Sequence, residues 1–243
     1  MMSLLVSHVA SEIEPKSFDK VFGPARLVDQ FVETWAAELR SKGVQLEVPP
    51  PFWRSKVSYA TLASIPPPSP AFAQYRIELA TEEDINVLGE YYADFSSARP
   101  ADAMFIEEGR AKMKVSVPLG EIWVCRLNGE IAGYCATGRV TNNTIAIRNV
   151  YVSRRHRRKG VAEAMTRAMT RYFLGATPLG FEGALAAVPR EGVKREVCLN
   201  VAEEHVERLY KRCGFLFGEP DPESGKTAWY PTTFRGIDVL EGS

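Results

Sequence analysis

The run Val150-Tyr-Val-Ser-Arg-Arg-His-Arg157-Arg-Lys-Gly160-Val-Ala162 restricts the fold more than any other stretch of the chain. Ahead of it, Thr144 to Val152 alternates like a strand; behind it, Val161, Met165, Met169, Tyr172 and Phe173 recur at helical spacing. A strand therefore passes into a helix across a small-residue loop. The first N–H groups of such a helix lack intrahelical acceptors and lie at the positive end of its dipole, so together they can hold a phosphate. Gly160 and Ala162 leave room for the anion, and Arg157, Arg158 and Lys159 add charge at its mouth. Neither G-x-G-x-x-G nor G-x-x-x-x-G-K-[ST] occurs, which dismisses a dinucleotide-binding or P-loop fold. Six Lys/Arg and no acid stand between Arg148 and Lys159. A nucleic-acid patch or nuclear localisation signal also looks like this, so the surrounding elements must decide.

Those elements are legible in order. Tyr75 to Thr81 alternates as a strand, and Thr81-Glu-Glu-Asp84 supplies a helix N-cap and an acidic first turn. Ile85, Leu88, Tyr91, Tyr92 and Phe95 continue that helix; Phe105 to Val115 is a weaker second one, interrupted by Gly109. Ile122 to Leu127 and Ile131 to Ala136 flank Asn128-Gly129, a strong hairpin signal because both turn residues accept positive φ. After the basic loop and its helix come a strand at about Arg195 to Leu199 and a helix with Val206, Leu209, Tyr210 and Cys213 facing inward, stopped by Gly214. Phe215 to Gly218 and Lys226 to Thr232 read as a closing strand pair.

Upstream, seven of the sixteen prolines fall between Pro49 and Pro70, a connector zone. Before it, Leu27, Val28, Phe31, Trp35 and Leu39 predict one amphipathic helix from about Ala25 to Ser41. Residues 1–70 are expected to form an N-terminal helical arm and connector, and residues 71–243 the main domain. With 30 Lys+Arg against 30 Asp+Glu, the chain has no global positive field of the kind that coats nucleic acid or anionic membrane. No run reaches the roughly 20 apolar residues of a bilayer span, and the N-terminus does not read as a signal peptide. The chain reads as soluble and cytoplasmic, with a nuclear location open. Cys125, Cys135, Cys198 and Cys213 form no C-x-x-C pair and only three His accompany them, so no metal site is expected.

In this order the chain resembles the GNAT superfamily of acyl-CoA N-acyltransferases, over about Tyr75 to Thr233. Arg157-Arg-Lys-Gly160-Val-Ala162 matches the family's pyrophosphate motif, and Leu209-Tyr210-Lys-Arg-Cys-Gly214-Phe215 its second signature, behind the Ala80-Thr81-Glu-Glu-Asp84 opening. With its N-terminal extension the chain looks most similar to fungal members. The resemblance implies a strongly bent mixed α/β sheet flanked by helices. It implies that amides of Arg158, Lys159, Gly160, Val161 and Ala162, with Arg157 beside them, hold the diphosphate of acetyl-CoA. Val150, Tyr151 and Val152 would line the pantetheine arm, and a backbone N–H near Asn149 or Val150 would meet the oxyanion.

The resemblance further makes Tyr210 the general acid toward the departing thiolate; at neutral pH a tyrosine of ordinary pKa, roughly 10, keeps its proton. The family's CoA-holding Asn is Glu203 here, with Asn200 three residues earlier, and a shortened alignment would instead bring His205 there. Glu107, Glu108 and Asp94 are the carboxylate candidates for a general base. Tyr91, Tyr92, Phe105, Trp229 and Tyr230 are candidates for an acceptor wall, and the long segment Leu179 to Gly192 for its rim. The implied activity is direct transfer of acetyl to a primary amine, of a small molecule first and of a protein lysine as the alternative. A non-catalytic CoA-binding module is the rival. A homodimer is left open.

Overall fold

The computed structural model describes residues 2–17, 20–97, 104–176, 189–227 and 230–240. In chain order the elements are α1 (Met2–Glu12), β1 (Lys20–Pro24), α2 (Ala25–Ser41), β2 (Leu46–Glu47), β3 (Trp53–Ala60), β4 (Arg76–Leu79), α3 (Ile85–Ser97) and α4 (Ile106–Ser116). They continue with β5 (Ile122–Leu127), β6 (Glu130–Gly138), β7 (Thr144–Val152), α5 (Val161–Phe173), β8 (Glu196–Val201), α6 (Glu204–Arg212), β9 (Tyr230–Gly236) and β10 (Asp238–Val239). The mixed α/β class expected from the sequence is the class observed.

Two compact units divide the chain: Met1–Ser58 with Asn200–Glu204 and Ala228–Ser243, and Tyr59–Leu199 with His205–Thr227. This division differs from the boundary expected at residue 70. The reason is strand pairing in the first unit, where β9 lies between β1 and β3, antiparallel to both, with Phe22 and Trp53 each in register with Phe234. Among the described residues the expected closing pair of Phe215–Gly218 with Lys226–Thr232 is not found: β9 pairs with β1 and β3, and Leu216 bridges to Tyr59. The proline zone likewise holds a strand, β3, between its two clusters. The expected helix is α2, which covers the same residues, Ala25 to Ser41. It buries Val28, Phe31, Val32, Trp35 and Leu39 with Val6 of α1 and Ile237, and Asp29 accepts from Arg235 Nη1 at 2.6 Å.

In the second unit β4, β5, β6 and β7 form an antiparallel run, and β8 joins β7 in parallel. The β5–β6 hairpin turns on Asn128 (φ 52°) and Gly129 (φ 83°), as its dipeptide predicts. One face packs Ile122, Val124, Tyr134 and Tyr151 with Leu88 of α3 and Met113 of α4. The alternate side chains take α5, where the Trp123 and Tyr172 rings lie 5.0 Å apart. At the head of α3, Asp84 Oδ2 accepts from the Thr81 N–H (2.9 Å), and both its oxygens accept from Arg126 of β5 (2.9 Å each). Gly109 does not interrupt α4. It lets two helices cross at contact, because a Cβ there would stand 2.3 Å from the Gly89 carbonyl oxygen of α3.

Two outcomes follow. Gly109→Ala must push α3 and α4 apart, and its unfolding free energy in urea should fall by about 1–3 kcal/mol, the usual cost of overpacking. A chain beginning at Ala71 strips β9 of both neighbours; limited proteolysis should then cut within Tyr230–Gly236, where the full chain resists.

Candidate functional site

β7 pairs with β8 from Thr144↔Glu196 only to Ile147↔Leu199, but with β6 as far as Gly133↔Val152. The β6–β7 register shifts between Ala136 and Thr137, so that Ala136 faces Asn149, Thr137 faces Ile147, and Arg148 is the extra residue. This bulge falls where β8 leaves. From Arg148 to Val152 the strand keeps its β6 ladder on one side, and no β8 residue is in register on the other. Val150 and Val152 are half-buried along that stretch; Tyr151 is buried, beneath the Tyr91 ring of α3 at 5.1 Å.

At the strand end the Ser153 N–H donates to the Ala132 carbonyl (2.9 Å) and Arg157 Nε to the Val152 carbonyl (3.2 Å). Arg158 is left-handed (φ 62°), as is Gly160 (φ 83°), after which α5 begins. No side chain caps α5, so the N–H groups of its first turn have the capacity to hold an anion. Val161 anchors the turn in the core at 1% exposure, while Arg157, Arg158, Lys159 and Gly160 are exposed and Ala162 is half-buried. Glu163 would compete with an anion there. Its carboxylate is instead held by Arg167 (3.0 Å) and Arg212 (2.8 Å). The Tyr75 hydroxyl donates to the Lys159 carbonyl, a contact that reading Tyr75 as the start of a strand did not reveal.

Tyr210 of α6 packs edge-on against Phe215, ring centroids 5.9 Å apart. Burial raises its phenol well above the ordinary value, with smaller contributions from Cys135 and Cys213, so it keeps its proton. Cys135 is the β6 residue facing Val150, which brings Tyr210 to the place where β8 parts from β7. Among the described residues its hydroxyl has no hydrogen-bond partner. Asn200, at the end of β8, and exposed Glu203 belong to the first unit; the site assembled here draws on the second alone.

None of the three carboxylate candidates for a base stands idle. Glu107 pairs with Arg110 at 2.7 Å on the α4 surface. Glu108 caps α4 by accepting from the Phe105 N–H at 2.8 Å. Asp94 takes Arg154 Nη2 on one oxygen and the Tyr151 hydroxyl on the other, both at 2.6 Å; Arg154 first, then Tyr151, holds its carboxyl below the usual range. Of the expected acceptor wall, Tyr91 and Tyr92 pack on the α3 side of the sheet, and Phe105 is 81% exposed. Trp229, the Tyr230 side chain and most of the Leu179–Gly192 segment lie outside the described residues. Among the described residues no group of three or more His, Cys, Asp or Glu is arranged for a metal, and no helix is long and apolar enough to cross a membrane.

The overall fold is similar to that of known structures. A GNAT-family acetyltransferase from Colwellia psychrerythraea superposes with a TM-score of 0.51 at 10% identity, over 97% of this chain and 70% of that one. A functionally unknown conserved protein from Staphylococcus epidermidis gives 0.50 at 14%, over 97% and 81%. A GCN5-related N-acetyltransferase from Sphaerobacter thermophilus gives 0.49 at 18%; the chain covers 64% of its length. At these identities the likeness is one of fold. No curated protein matches the chain. Residues 118–216 match the acetyltransferase (GNAT) domain family, a span that holds both the Arg157–Ala162 loop and the Leu209–Phe215 signature. That segment is similar to the GNAT acetyltransferase domain.

Asp94 gives a pH test. Its native value lies below its unfolded one, so its contribution to stability is complete above roughly pH 4 and fades as pH falls through the native value. Asp94→Asn should therefore be less stable than wild type in urea at about pH 7, and the gap should close toward about pH 3.

Proposed function

We propose that the chain is an N-acetyltransferase that moves acetyl from acetyl-CoA directly to the primary amine of a small molecule. The observation that carries this reading is the edge of β7 released by β8, running through left-handed Gly160 into the uncapped start of α5. An extended amide arm ending in a diphosphate fits that succession. Acetyl-CoA supplies the thioester whose acyl carbon is to be joined to nitrogen. On this reading Val150 and Val152 offer main-chain groups to the arm as a neighbouring strand would. The N–H groups of Arg158 to Ala162 hold the diphosphate, and Arg157 adds charge.

A backbone N–H at Asn149 or Val150 stabilises the charge that develops on the acyl oxygen. Tyr210, protonated and without a hydrogen-bond partner among the described residues, donates toward the sulfur as it becomes a thiolate. Direct transfer is supported by the thiols: burial pushes Cys135 and Cys213 up to about 12 and Cys198 to about 11, so none is a nucleophilic thiolate near neutral pH. With Asp94, Glu107 and Glu108 all engaged, the acceptor loses its ammonium proton to water.

Release of free thiol from acetyl-CoA across a panel of amines tests the proposal. Tyr210→Phe should bind CoA as wild type does and lose on the order of 10²- to 10³-fold in kcat, the range of a lost donor to developing charge. The wild-type rate should climb with pH toward the amine's own pKa. CoA binding with no thiol released by any amine would leave a non-catalytic CoA module instead.

A further inference from the structure

The segment from the second proline cluster to Tyr75 lies along α5 in the opposite direction. Arg171, near the helix end and 8% exposed, donates from Nη1 to the Pro66 carbonyl at 3.0 Å. One turn earlier the Arg167 guanidinium stands 5.1 Å over the Phe72 ring. At the helix start the Tyr75 hydroxyl donates to the Lys159 carbonyl, and a Cβ on Gly160 would lie 3.1 Å from that hydroxyl and 3.6 Å from Phe72 Cε1. Tyr75 is 5% exposed, and burial raises its phenol above the ordinary value, so it is a donor at any physiological pH.

The peptide between Lys159 and Gly160 is planar and trans, so its C=O and its N–H point in opposite directions. Holding the carbonyl against Tyr75 sends the Gly160 N–H the other way, and among the described residues nothing accepts from it. Glycine takes either sign of φ at little cost, so residue 160 itself resists a flip of this peptide weakly. Flipped, the peptide would turn a carbonyl oxygen toward the place where an anion is to be held. We infer that Tyr75 is a positioning residue of the diphosphate loop: its hydroxyl fixes the Lys159–Gly160 peptide with the N–H outward, and the strap on α5 holds Tyr75 in place. The inference rests on the acyl-CoA reading above.

Tyr75→Phe keeps the ring and removes the donor. Titration calorimetry with CoA should show affinity lower by about 3- to 10-fold, the worth of one hydrogen bond read through the competent fraction. In the thiol-release assay KM for acetyl-CoA should rise with kcat unchanged, while kcat/KM for S-acetylpantetheine, which has no diphosphate, should stay at the wild-type value. Unchanged CoA affinity overturns the inference, as does an equal loss with both thioesters, which marks general damage. A wild-type chain that binds no CoA removes the acyl-CoA reading and this role with it. Hydrogen exchange of the wild-type chain needs no variant: the Gly160 amide should exchange fast when free and slow when CoA is added. A Gly160 amide already protected without CoA would show the peptide turned inward and refute the positioning role.

Discussion

The main-chain ladder between β7 and β8 stops at Ile147↔Leu199, while the ladder between β7 and β6 continues to Gly133↔Val152. A strand inside a sheet cannot leave its N–H and C=O groups unpaired in a dry interior without a cost comparable to the lost hydrogen bonds. Parting two strands therefore creates a segment that must meet water or a ligand. The bulge at Arg148 makes the parting local, because one inserted residue bends the strand and strengthens its twist at that point. Upstream of it β7 has neighbours on both sides; downstream its free edge leads without interruption into the basic loop.

Charge around that loop is partnered within the protein at the first turn of α5. Glu163, in the first turn of α5, is the residue type that a helix N-terminus stabilises best. Arg167 from the next turn and Arg212 from α6 take its two oxygens, which satisfies the carboxylate within the protein. Arg157, Arg158 and Lys159 stay exposed, and Arg154 is spent on Asp94. The basic run that in sequence reads equally as a nucleic-acid patch thus separates into residues with internal partners and residues at the mouth of the helix.

What was legible in the sequence was what short-range chemistry decides. Asn128-Gly129 specifies its turn through two positive φ angles, α2 follows from apolar spacing after Pro24, and β7, its loop and α5 occupy the residues their pattern indicates. Pairing between distant segments was not legible. Nothing local in β9 says that it will take β1 and β3 rather than its neighbour around Leu216. Gly109 misleads for a related reason: in one dimension glycine weakens a helix, but at the crossing with Gly89 its missing Cβ permits the packing. Asp94 was visible as a carboxylate on the right helix. That Arg154 and Tyr151 occupy both its oxygens depends on a loop some sixty residues away.

Cys135 faces Val150 across the β6–β7 ladder, so position alone would make it a better nucleophile than Tyr210 would be a proton donor. Burial decides the other way. In a dry site the charged form of either group is penalised, and the thiol, pushed up to about 12, loses the thiolate that attack requires. The same penalty suits a donor, which must be neutral beforehand. A phenol whose pKa exceeds the roughly 8.5 of an ordinary thiol does not give its proton away at equilibrium. In the proposed transfer its hydrogen bond is strongest while the sulfur carries charge, and the proton that completes the thiol is made good by the ammonium formed as nitrogen joins the acyl carbon. Tyr210 needs only to reach the sulfur and to have no other acceptor, and its hydroxyl, without a partner among the described residues, meets the second condition.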